Sequence, residues 1–102
     1  MKIKFTTLMT DLDSKPIKEP TGDGETKTVT LGDMCERQLL NNMDEKDAAK
    51  RVEMFHLAMR IHGTSKEIEI SVEECALLKK LIGNYNPLIC GQCWDLLDKA
   101  AK

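Results

Sequence analysis

The chain has 102 residues, 41% of them apolar and 31% charged, with a formal net charge of −2. That is enough for one modest hydrophobic core and too apolar for a disordered chain. It lacks the basic footprint of a dedicated nucleic-acid binder, and no apolar run reaches the length of a signal peptide or a membrane span.

The expectation is a single α+β domain: a β-hairpin and flexible loop over residues 1–30, then a mainly helical part over 31–102. Residues 2–8, "KIKFTTL", alternate Ile3 and Phe5 with polar groups, the periodicity of a strand. Asp13, Ser14, Lys15 and Pro16 make a turn, since Asp and Ser initiate turns and Pro16 fixes φ. A short strand around residues 16–19 would return against the first to close a hairpin. Pro20, Gly22 and Gly24 mark an exposed, mobile loop, and "TKTVT" at 26–30 is a further brief strand.

Thr30 and Asp33 have the spacing of a capping box, with Leu31, Cys35 and Leu39 on one face of the helix that follows. "DEKDAAKRVEMFHLAMRIHG" opens with acids and closes at Gly63, which suits a second helix. Its apolar stripe is Ala48, Val52, Phe55 and Met59, widened by Met54, Ala58 and Ile61. An arc that wide predicts a central helix with several neighbours, or one that touches a partner chain. "KEIEIS" is a strand, and Ser71 with Glu74 starts a third helix that ends near Gly83. Asn86 as cap and Pro87 at the first position start a fourth, with Leu88 or Ile89, Cys93, Leu96 and Leu97 inward.

The segment that most resembles chemistry lies in this last helix: "NPLICGQCWDLL". Cys90 sits in the first turn, where the helix dipole favours a thiolate, and "CGQC" has the spacing of thioredoxin-like sites. Such motifs follow a core strand, however, whereas "GNYN" here joins two helices. A structural zinc site needs four ligands in two close pairs. Cys90 and Cys93 supply one pair, but Cys35 and Cys75 each stand alone, and His56 and His62 fall on different helix faces. Four cysteines acting as small buried hydrophobes account for every position, so no cofactor and no metal is expected. Gly91 then marks a close approach of another backbone, and Trp94 is either a core anchor or, if exposed, a contact residue for a partner. No nucleophile motif, P-loop or carboxylate pair is present, and an enzyme is not expected.

Four segments taken together resemble a family of small proteins encoded by tailed bacteriophages and prophages. They are "LMTDLDSKPIKE", "VTLGDMCERQLL", "EKDAAKRVEMFHLAMRI" and "EISVEECALLKKLIGNYNPLICGQCWDLL". The family pattern has a D-L-D-G-K-P-like turn, a central helix starting near E-K, and a P-L-x-x-G-Q-x-W-x-L-L-like final helix. These fall on Asp11–Pro16, Glu45-Lys46 and Pro87–Leu97, with Ser14 where the family turn has glycine. The two cysteines are not part of that pattern. The resemblance implies a phage origin, the cytoplasm of a bacterial host and no assigned activity.

The function expected is protein–protein interaction, for instance in virion or tail assembly, with a phage-encoded partner or a homodimer. Met54 and Met59 on the second helix and Trp94 and Leu97 on the fourth are the candidate contact residues. The alternatives are a regulator that binds DNA or host transcription machinery through Lys50, Arg51, Lys79 and Lys80, and a zinc or redox module at Cys90 and Cys93.

Overall fold

A computed structural model describes residues 1–100. Four helices are set by local chemistry. Thr30 and Asp33 close the anticipated capping box at the start of α1, Leu31–Leu40, and Ser71 and Glu74 do the same for α3, Val72–Ile82. α2 spans Ala48–Ile61 and α4 spans Pro87–Ala100. Asn86 caps α4 as expected, its side chain accepting the Ile89 N–H at 3.0 Å. α2 begins later than its acidic lead-in implied. Asp47 is its cap, accepting the Ala49 N–H at 2.9 Å, and the first turn holds no acid.

The strands are short and pair differently from the expectation. β1, Lys2–Ile3, does not return on its sequence neighbour. It pairs antiparallel with β4, Ile68–Glu69, in the register Lys2↔Glu69 and Ile3↔Ile68. The hairpin joins β2, Lys18–Pro20, to β3, Thr26–Thr28, so the segment read as a mobile loop is the tip of that hairpin. The tip is closed by Thr21 N–H on Glu25 O at 2.9 Å and by the Asp23 carboxylate, which accepts from Thr21 and from the Glu25 N–H. Of the hairpin first expected, the Thr10↔Pro16 bridge survives, flanked by Asp11 N–H on Lys15 O at 2.9 Å and Ile17 N–H on Met9 O at 3.0 Å.

The N-terminal segments are tied together by three backbone hydrogen bonds arranged in a ring. Met9 N–H donates to Val29 O at 2.8 Å, Val29 N–H to Ile17 O at 3.0 Å, and Ile17 N–H to Met9 O at 3.0 Å. Met9 and Val29 are buried beneath this ring and carry it onto the helical core. A further clamp comes from Arg37 of α1, whose guanidinium holds both oxygens of Glu19 in β2. Burial in the core falls on Phe5, Leu31, Cys35, Leu57, Ile70, Leu78, Ile82, Cys93 and Leu97, and among the described residues no charged or polar one is buried. α1 packs on α2 and α3, and α3 on α4.

The close backbone approach expected at Gly91 occurs instead at Gly32. An added Cβ on Gly91 would meet nothing within 4 Å, so this residue marks no close approach of another backbone. At Gly32 the same Cβ would lie 3.1 Å from Phe5 O and 3.2 Å from Ile61 Cγ2. The Gly32 N–H donates to Phe5 O at 2.8 Å, which draws the first turn of α1 against the N-terminal segment.

Candidate interaction surface

The second helix carries two apolar faces, and the structure buries the one read as secondary. Met54, Leu57, Ala58 and Ile61 face the core. Ala48, Val52, Phe55 and Met59, spaced four, three and four apart, lie nearly opposite at 100° per residue. Val52 and Phe55 are each 51% exposed and Met59 is 59% exposed. The stripe is widened by the end of α1. Leu40 and Met43, 57% and 74% exposed, border a surface hollow together with Arg51, Met54 and Phe55. The five exposed side chains present on the order of 400–500 Å² of apolar surface, within the range of the largest patch on a typical monomer.

The loop beside the stripe is braced. Arg51 Nε donates to Glu45 O at 2.5 Å and its Nη2 to Met43 O at 3.5 Å, which holds residues 43–45 against the first turns of α2. The exposed face is therefore presented by an ordered helix start.

The four contact residues expected from the sequence divide evenly. Met59 is on the outer stripe. Met54 and Leu97 belong to the core, 4% and 0% exposed, and cannot meet a partner there. Their placement follows from helix geometry, since Met54 is one turn before Ala58 and Leu97 is one turn after Cys93 on inward faces. Trp94 is 45% exposed rather than a core anchor. It stands beside α3, with Lys79 Nζ 4.9 Å from its ring centroid. Lys79 also pairs with Asp98 at 2.9 Å.

The cysteines form no disulfide. Cys35, Cys75 and Cys93 are buried and Cys90 is half-buried. Burial, with the neighbouring Cys90 adding to it, pushes the Cys93 thiol up to about 11, and burial likewise raises Cys35. Cys93 Sγ lies 3.8 Å from Met9 Sδ, and Cys75 Sγ lies 3.8 Å from Leu97 O. A protonated thiol packed against a thioether is a core group, not a nucleophile. Among the described residues, no cluster of three or more His, Cys, Asp or Glu side chains is arranged to hold a metal ion.

Three of the four basic residues of the regulator reading are engaged by other groups or stand beside acids. Lys79 is engaged by Asp98 and Trp94, Lys80 borders a hollow with Asp44 and Glu45, and Arg51 is turned to backbone carbonyls. A groove of about 510 Å³ between α2 and α3 is lined by Glu53, Glu73 and Glu74 as well as His56 and Arg60.

One polar contact near the "CGQC" segment escaped sequence reasoning. The Gln92 amide reads both backbone groups of Thr10: its Oε1 accepts the Thr10 N–H at 2.8 Å and its Nε2 donates to Thr10 O at 2.6 Å. Nε2 also donates to Leu88 O at 3.1 Å. The only sequence signal was a glutamine one residue from a buried cysteine. Tyr85 plays a similar part, its hydroxyl donating to Met34 O at 2.6 Å. Both residues serve architecture.

No protein-family model, curated protein or solved structure matches the chain. Among the described residues, no helix is long and apolar enough to cross a membrane.

Proposed function

We propose that this chain is a non-enzymatic protein–protein interaction module of tailed-phage or prophage origin, an accessory in virion or tail assembly that acts in the host cytoplasm. One observation carries the interaction part: an ordered helix whose inner face completes the core offers a second apolar face to solvent. Val52, Phe55 and Met59 form that face, with Leu40 and Met43 at its side. A patch of this size, rimmed by polar groups, is what helix-in-groove recognition uses. The phage assignment is supported by the resemblance of the Asp11–Pro16 turn and the Pro87–Leu97 helix to the phage family. Ser14 keeps φ at +64°, the backbone that the family's glycine favours, so the turn geometry suits that pattern.

The test is affinity purification of the tagged protein from cells in which a related phage is replicating, alongside Phe55→Glu. The expected result is a phage morphogenesis protein retained by the wild type and lost with the variant. Retention of host polymerase or DNA instead, or of nothing that depends on the stripe, would overturn the proposal.

A further inference from the structure

On that reading of the outer face, we infer that its occupant is α2 of a second copy of this chain, laid antiparallel. The spacing of Ala48, Val52, Phe55 and Met59 is that of alternating d and a positions over two heptads. In an antiparallel pair an a residue packs against a d residue of the facing helix. Val52 then meets Phe55 of the second copy, and Ala48 meets its Met59. Each layer joins a smaller side chain to a larger one, so all layers fill comparable volume. A parallel pair would stack Phe55 on Phe55 and Ala48 on Ala48, crowding one layer and emptying another.

The flanking positions agree. Antiparallel pairing sets Arg51 beside Ala58 of the second copy and His56 beside its Ala49, with no like charges opposed. Parallel pairing would set Arg51 beside His56 on both sides of the seam. The core face of α2 lies nearly opposite the stripe, so the bodies of the two copies are carried apart. Leu40 and Met43 border the seam on the Arg51 side and add to it.

The area suits a small dimer. Two stripes together bring on the order of 800–1,000 Å² of apolar surface, to which a polar rim adds. The apolar part alone falls just below the lower edge of stable interfaces, about 1,200 Å² in total, which suits a weak, reversible dimer.

The experiment is sedimentation equilibrium on the full chain from about 1 to about 100 µM, for wild type and Phe55→Glu, with circular dichroism to confirm folding. A wild-type dimer that dissociates at least about tenfold more readily in the folded variant is expected. Orientation is read from cysteine cross-linking in a Cys90→Ser background. Ala48→Cys together with Met59→Cys, which leaves Val52 and Phe55 in place, should give a covalent dimer on oxidation, and Ala48→Cys alone should give little. A monomer throughout, a dimer indifferent to Phe55→Glu, or rapid cross-linking of Ala48→Cys alone would overturn the inference. The first two results leave the interaction reading to be judged separately by the phage-protein purification, so the two can fail independently.

Discussion

Replacing Gln92 by alanine removes a side chain that substitutes for a strand partner. Gln92 satisfies the N–H and C=O of Thr10, 82 residues away in sequence, at 2.8 and 2.6 Å. Thr10 is half-buried, so water replaces these bonds only in part. Each lost bond carries about 1 kcal/mol net, and partial desolvation of the orphaned groups brings the sum to about 2–3 kcal/mol. Against a typical stability of about 5–15 kcal/mol this is a large fraction. For a domain of this length it lowers Tm by about 10–15 °C, measured by circular dichroism melts. Gln92→Glu sharpens the test. A carboxylate still accepts from Thr10 N–H, but its other oxygen faces the carbonyls of Thr10 and Leu88 instead of donating to them. That repulsion raises the folded pKa of the introduced acid. A group with a raised folded pKa is most favourable while protonated, so Gln92→Glu should regain stability as pH falls towards 5 and lose it above. A loss under about 0.5 kcal/mol for Gln92→Ala, or no pH dependence for Gln92→Glu relative to wild type, would refute the assignment of Gln92 as the clamp on Thr10.

Three further outcomes are expected. Gly91→Ala should stabilise the chain by about 1 kcal/mol, because the added methyl enters open space in a helix; Gly32→Ala should cost about 1–3 kcal/mol through collision with Phe5 O and Ile61, and urea titration of the pair would show opposite signs. Ser14→Gly should raise stability by about 0.5–1 kcal/mol by relieving the left-handed backbone at φ +64°, whereas Ser14→Val should lower it, both read as shifts in melting temperature. The hydrogen bond and charge of Arg37 hold Glu19 below its ordinary 4.5; at Glu74, burial works upward but is outweighed by the Ser71 N–H and by Arg60, 2.5 Å away. Depressed folded pKa values contribute stability above pH 4.5 that is lost as pH falls through the folded values, so Glu19→Gln should flatten the acid limb of a stability–pH curve.

What could be read from the sequence follows the range of the interactions involved. Capping is decided within four residues, so Thr30/Asp33, Ser71/Glu74 and Asn86 were all legible, as were the inward faces of α1 and α4. The α+β class followed from those elements. Strand pairing was not legible: β1 finds β4 across more than sixty residues, and nothing in "KIKFTTL" distinguishes that partner from a nearer one. The faces of α2 were ambiguous for a physical reason. It has two apolar stripes, and the more regular one, Val52, Phe55 and Met59, was the one left outside. A tight repeat identifies a contact face without telling whether the contact is inside the fold. Gly91 misled and Trp94 stayed open for the same reason, since residue type sets a tendency to be buried and the neighbouring elements decide it. All four cysteines were read as buried; Cys35, Cys75 and Cys93 are, each on an inward helical face, whereas Cys90 is only half-buried.

The six methionines supply natural probes for the central claim that the outer face of α2 is a contact surface. Met43 and Met59 lie on it, while Met9, Met34 and Met54 are buried within the fold. With 13C-labelled methionine methyl groups followed by NMR across a dilution series, the account predicts concentration-dependent shifts at Met43 and Met59, with Met9, Met34 and Met54 unmoved. Shifts confined to other methyl groups, or Met59 resonances as shielded from a soluble paramagnetic probe as those of Met54 at every concentration, would contradict it.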